Sequence, residues 1–99
     1  MAIACYDIAV LFFPNDDFYY SLRSHAYSNK GDYDKAITDY TAALRIEPNE
    51  AYYYYSRASA YEKKGDYTRA RADYTRALQI DPDDGLARSG LERLNKAGR

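Results

Sequence analysis

Residues 17–50 read DFYYSLRSHAYSNKGDYDKAITDYTAALRIEPNE, and residues 51–84 read AYYYYSRASAYEKKGDYTRARADYTRALQIDPDD. The two stretches align without a gap at a period of 34 residues, and half of the paired positions are identical. Lys30-Gly31-Asp32-Tyr33 returns as Lys64-Gly65-Asp66-Tyr67, and Asp39-Tyr40-Thr41 returns as Asp73-Tyr74-Thr75. Ala43-Leu44, Ile46 and Pro48 return as Ala77-Leu78, Ile80 and Pro82. A fixed period of this length marks a repeat architecture, in which one supersecondary unit stacks on copies of itself.

Each unit holds two helical stretches. Ala51–Lys64 places Tyr54, Ala58 and Tyr61 on one stripe, at spacings of four and three. Gly65-Asp66 ends that stretch, because glycine readily takes the left-handed conformation that closes a helix. Tyr67–Ile80 carries Ala70, Tyr74, Ala77 and Leu78 at helical spacing, and Pro82 stops it. The first unit divides in the same way: Asp17–Lys30, Gly31-Asp32, Tyr33–Ile46, Pro48. Short Gly-Asp links predict antiparallel neighbours in an all-α fold. Alanines 26, 36, 43, 60, 70 and 77 let the helices approach closely, and Tyr27, Tyr40, Tyr61 and Tyr74 fill the space between them.

The residues resemble the tetratricopeptide repeat family. Its aromatic-x-x-Leu-Gly-x-x-Tyr…Ala-x-x-x-Phe…Pro pattern is met by Tyr54, Arg57, Ala58, Tyr61, Ala70, Tyr74, Ala77 and Pro82. Tyr20, Arg23, Ser24, Tyr27, Ala36, Tyr40, Ala43 and Pro48 meet it one unit earlier. The departures are Tyr for Trp, Arg for Leu, and Ser or Ala for Gly. The resemblance implies a right-handed α-solenoid of helical hairpins.

The register runs past both units. Ala2-Ile3, Tyr6, Ala9, Pro14 and Asn15 fall on Ala36-Ile37, Tyr40, Ala43, Pro48 and Asn49. Met1–Phe13 therefore reads as the second helix of a partial repeat. At the other end Leu86, Gly90, Leu91 and Leu94 form an amphipathic stripe among Arg and Lys, similar to a capping helix. The expected organisation of residues 1–99 is a half repeat (1–16), two full repeats (17–50 and 51–84) and a cap (85–97), about six helices in one domain.

Composition narrows the function. A formal net charge of -1 argues against nucleic acid and against an anionic membrane surface. The apolar N-terminus lacks a basic leader, is interrupted by Asp7, and is shorter than the roughly 20 residues a bilayer span requires. A single cysteine, Cys5, allows no intramolecular disulfide, which fits a reducing, cytoplasmic setting. Cys5 shares its register position with Asp39 and Asp73, a position expected to face outward. There are 13 Tyr, 3 Phe and no Trp, so one residue type serves both core and open surface. Lacking a phosphate loop, a nucleophile elbow or metal-ligand spacing, the chain reads as no enzyme, with no metal or cofactor. His25 has no partner at ligand spacing. Asp32, Asp66, Asp83 and Asp84 read as helix-start residues.

The resemblance also implies a binding face. In the family, the first helices of successive repeats line a concave groove. That surface here comprises Phe18, Ser21, Leu22, His25 and Asn29, then Tyr52, Tyr55, Ser56, Ser59 and Lys63, then Ser89 and Arg93. In the Tyr52–Tyr55 run, Tyr54 is expected in the core while Tyr52 and Tyr55 share the open face. Tyrosine anchors among serines suit a peptide segment of a partner protein. Family members that grip an acidic C-terminal tail do so with Lys and Asn. The matching positions, Ser21, His25, Ser56, Ser89 and Arg93, offer one strong anion donor, Arg93. The second expectation concerns the half repeat. Ile3, Val10, Leu11, Phe12 and Phe13 either fold back onto Asp17–Lys30 or pair with another copy of the chain, making a homodimer or a swapped array.

Overall fold

The computed structural model describes residues 2–99; Met1, the first residue of the expected half repeat, lies outside them. The described residues form six α-helices and no strand: α1 (Ala2–Phe12), α2 (Asp17–Lys30), α3 (Tyr33–Ile46), α4 (Ala51–Lys64), α5 (Tyr67–Ile80) and α6 (Gly85–Lys96). Each helix packs on the next along the chain, and α4 also touches α6, in a body of 42 × 25 × 18 Å.

Local chemistry sets the helix ends. The side chains of Asp16, Asp32, Glu50, Asp66 and Asp84 accept backbone N–H bonds at the starts of α2 to α6. Asp83 is not a cap: its own N–H donates to Asp81 Oδ1 at 3.1 Å. Gly31 (φ 88°) and Gly65 (φ 94°) take the left-handed conformation that ends α2 and α4. The following N–H groups, of Asp32 and Asp66, reach back to the carbonyls of Tyr27 and Tyr61, each at 2.9 Å.

Two clusters make the core. Tyr40, Ala43, Leu44 and Tyr53 form one, between α3 and α4. Ala58, Ala70, Tyr74, Ala77, Ala87 and Leu94 form the other, across α4, α5 and α6. In the Tyr52–Tyr55 run the buried ring is Tyr53; Tyr54 is half-buried and touches both clusters. The reason is that α4 lies between α3 and α5, so it buries two stripes rather than one. Tyr27, Tyr61 and Ala26 are only half-buried, whereas Tyr40, Tyr74 and the other five alanines are buried as expected.

The largest correction concerns Asp39 and Asp73, which are buried and not outward-facing. Arg57 donates to Asp73 through Nε (2.7 Å) and Nη2 (2.9 Å), and through Nη1 to Thr41 Oγ1 (3.1 Å). Arg23 repeats the arrangement 34 residues earlier, with Asp39 at 2.8 and 2.9 Å and Asp7 at 2.9 Å. Each arginine therefore ties its own helix to the two helices on either side. The hydrogen-bonded carboxylates hold both guanidinium groups above their ordinary range against a smaller opposing effect of burial. Cys5, at the same register position as these aspartates, is exposed.

The half repeat packs on α2 through Ile3, Tyr6, Ala9 and Val10, all half-buried, and Phe13 stacks on Tyr19 at 5.6 Å. Its other side stays open. Leu11 is 75% exposed and Phe12 71%, and Ile8, which sequence reasoning passed over, is exposed with them.

Candidate functional site

The first helices of the repeats, α2 and α4, and the cap α6 present one continuous side. Three adjoining depressions run along it. One of about 180 Å³ lies between α2 and α4 and is lined by His25, Ser28, Asn29, Tyr40, Tyr52, Tyr55, Ser56, Ser59, Ala60 and Lys63. A second, of about 310 Å³, shares Ser59 and Lys63 with the first and adds Glu62, Tyr67, Arg93 and Arg99. A third, of about 540 Å³, shares Arg93 and adds Ser89, Glu92, Lys96 and Ala97. The shared residues join them into a groove from α2 to the cap.

Seven of the residues expected to bind a peptide converge in the first depression: His25, Asn29, Tyr52, Tyr55, Ser56, Ser59 and Lys63. Ser89 and Arg93 line the far end. Phe18, Ser21 and Leu22 stand outside all three depressions. Ser21 is buried, and its hydroxyl lies beside Tyr53; Ser56 is buried as well, on the floor beside the Tyr40 phenol. Ser21 sits where α2 meets α4, and Ser56 where α4 meets α3, so the face assigned to the ligand is partly core. Phe18 is exposed, and 34 residues on, Tyr52 and Leu86 are exposed at the same helix position. Leu86, read from the sequence as part of the apolar stripe of the cap, is therefore on the open side instead, where the period alone pointed.

Electrostatics divide the groove. Its α2 end is lined with hydroxyls and aromatic rings. Its α6 end carries Lys63, Arg93, Lys96 and Arg99 against Glu62 and Glu92. Arg93, the one strong anion donor expected at the tail-binding positions, is already engaged: Nε donates to Glu62 Oε2 at 2.7 Å and Nη2 to Oε1 at 2.6 Å. The Tyr74 hydroxyl donates to the same carboxylate at 2.7 Å. Burial, then this bond, pushes the Tyr74 phenol above its ordinary value. Among the described residues no group of three His, Cys, Asp or Glu side chains could hold a metal ion, and no helix is long and apolar enough to cross a membrane.

Comparison with known proteins follows the architecture. The chain is similar to the Arabidopsis OM64 TPR domain, with 28% identity over 96% of this chain and 78% of that one, at a TM-score of 0.91. The first TPR of Spaghetti (RPAP3), bound to HSP90 peptide SRMEEVD, shares 23% identity, covering 96% of this chain and 75% of that one, at a TM-score of 0.92. The Yersinia enterocolitica type III secretion chaperone SycD, in complex with a peptide of the translocator YopD, shares 15% identity over 98% of this chain and 79% of that one, at a TM-score of 0.90. No curated protein matches the chain. The family model of the tetratricopeptide repeat matches residues 21–85, the span that holds α3, α4 and α5 whole and most of α2. With that match over most of its length, the chain belongs to the tetratricopeptide repeat family.

Proposed function

We propose that the chain is a non-catalytic scaffold that holds a peptide segment of another protein in the groove across α2, α4 and α6. The observation that carries this reading is the convergence of Tyr52, Tyr55, Ser59, His25, Asn29 and Lys63 from two helices on one depression. Tyrosine supplies a large contact at small entropic cost, and hydroxyls adapt their hydrogen bonds to an extended or helical ligand. Chains of the same fold held peptides in the RPAP3 and SycD structures, which supports the capacity of the fold and leaves this chain's partner to its own side chains.

Tyr52 is the informative position. It is half exposed at the rim and contributes little to the core. Tyr52→Ala is expected to leave unfolding within about 0.5 kcal/mol of the parent. It should weaken capture of a lysate partner by about tenfold or more, the range for truncating an aromatic anchor. Equal capture by the two immobilised proteins would remove the groove reading. Tyr55→Ala is less clean, because the Tyr55 ring packs 6.0 Å from that of Tyr74 and its loss also loosens the core.

A second reading is self-association through α1. It rests on the exposure of Ile8, Leu11, Phe12 and Phe13 on and just after α1, a helix whose one charged residue, Asp7, is turned to Arg23. Light scattering at micromolar concentration should then show a mass that rises with concentration, and Phe12→Asp should return it to the monomer. A monomer throughout would end this second reading and leave the groove untouched.

A further inference from the structure

The groove has a cationic end whose strongest donor is occupied from within the chain. Glu62, on α4, accepts two hydrogen bonds from Arg93 on α6 and one from the Tyr74 hydroxyl. Those bonds hold the Glu62 carboxyl below its ordinary range, the Arg93 bond foremost, with burial opposing. Arg93 stands where two depressions meet, and Lys63, Lys96 and Arg99 line the same two depressions. An acidic ligand entering here would be drawn by that surplus of positive charge. At the junction of the two depressions it would then meet Glu62 already seated on the Arg93 guanidinium.

The repeat itself does not demand this pair. One period earlier, the position of Glu62 holds Ser28 and that of Arg93 holds Ser59. Both of those residues line the groove. The ion pair is thus an addition at the capping end, placed inside the ligand surface.

We propose that Glu62 is a specificity-determining residue: its carboxylate stands in for a ligand carboxylate on Arg93, so that the groove turns away acidic tails and takes uncharged segments. The inference rests on the groove reading above. To take the bidentate place on Arg93, an acidic side chain or a free C-terminus must displace two charge-assisted bonds and remain beside a like charge.

The test uses two fluorescein-labelled heptapeptides of one sequence, one with two Glu and a free C-terminal Asp, the other with Gln replacements and an amide end. The proteins are the parent, Glu62→Gln, Glu62→Ser and the double variant Glu62→Gln/Arg93→Gln. Glu62→Gln keeps the shape and an acceptor for Tyr74; Glu62→Ser installs the residue of the preceding repeat. Anisotropy titrations should show both single variants binding the acidic probe about tenfold tighter than the parent, a difference of about 1.4 kcal/mol. The neutral probe should change far less than the acidic one, and the acidic-probe gain should vanish in the double variant. An unchanged acidic-probe affinity in folded single variants would overturn the proposal, as would tight binding by the parent. Loss of the helical circular dichroism signal in both single variants would also overturn it, assigning the pair to cap attachment alone. The readout needs no natural partner, so its failure is separable from a failure of the Tyr52 experiment.

Discussion

Tyr74→Ala is expected to lower the free energy of unfolding by about 3–5 kcal/mol, the range for deleting a buried aromatic ring. Tyr74 is the largest of the fully buried side chains. It lies in a cluster otherwise made of small residues: Ala58, Ala70, Ala77 and Ala87, with Leu94 above. Alanines have no rotamer with which to fill a vacated space, so the cavity stays. The cap rests on the ring itself: a Cβ placed at Gly90 would come within 2.5 Å of Tyr74 Cζ. Removing the ring therefore takes away the surface on which α6 sits, and it takes the hydroxyl donor from Glu62. In an array where each unit contacts only its neighbours, the loss is felt first at the capping end. For a chain of this size the midpoint of thermal unfolding should fall by about 15–25 °C. Tyr74→Phe keeps the ring and removes only the hydrogen bond, so it should cost about 0.5–1.5 kcal/mol. Urea titrations followed by circular dichroism would check both. A cost for Tyr74→Ala below that of Tyr74→Phe would be incompatible with this packing.

The period carried most of the fold into view. Glycine at 31 and 65, proline at 48 and 82, and aspartate before each second helix of the repeats all act locally, within a turn of the chain, so their effect is visible without a structure. What stayed hidden depends on which neighbour a side chain meets. A stripe of spacing three and four picks out Tyr54, Ala58 and Tyr61, yet Tyr53 is buried deeper than Tyr54 or Tyr61, because α4 has a helix on each side and one periodicity cannot describe two contacts. The register position of Asp39 and Asp73 is expected to face outward, yet both are buried. The signal against that assignment was present: Arg23 and Asp39 are separated by 16 residues, and so are Arg57 and Asp73. A charge pair that returns with the repeat is a pairing statement, whereas either residue alone looks like surface. The groove shows the same division. Residues facing the open side, such as Tyr52 and Ser59, follow from the register. The burial of Ser21 and the Glu62–Arg93 pair involve helices that meet only in three dimensions.

Arg57→Met is expected to cost about 3–5 kcal/mol, because it strands a buried carboxylate. Asp73 is 6% exposed, and both of its oxygens accept from Arg57. A methionine fills much the same volume but donates nothing, so the Asp73 carboxylate is left buried with no cation beside it, which is costly. The side chain also joins α4 to α3 through Thr41 and lies over the rings of Tyr54 and Tyr61 at 5.7 and 5.9 Å. Its removal therefore loosens the contact between repeats as well as the hairpin within one. The second half of the expectation separates a stranded charge from lost packing. If the charge dominates, Arg57→Met/Asp73→Leu should recover most of the loss, since exchanging a whole buried pair for apolar side chains of similar size is often neutral. If packing dominates, the double variant should be as unstable as the single one. Asp73→Asn offers a further check: it keeps the shape, leaves one acceptor for Arg57, and should fall between parent and Arg57→Met. Arg23 has two carboxylates, Asp39 and Asp7, with Asp7 half exposed to water. In Arg23→Met only Asp39 is left buried without a cation, so the cost should match that of Arg57→Met at Asp39 while Asp7 returns to solvent at little expense. Near-equal values from urea unfolding of the two single variants would show that the buried aspartate, and not the number of ion pairs, sets the energy.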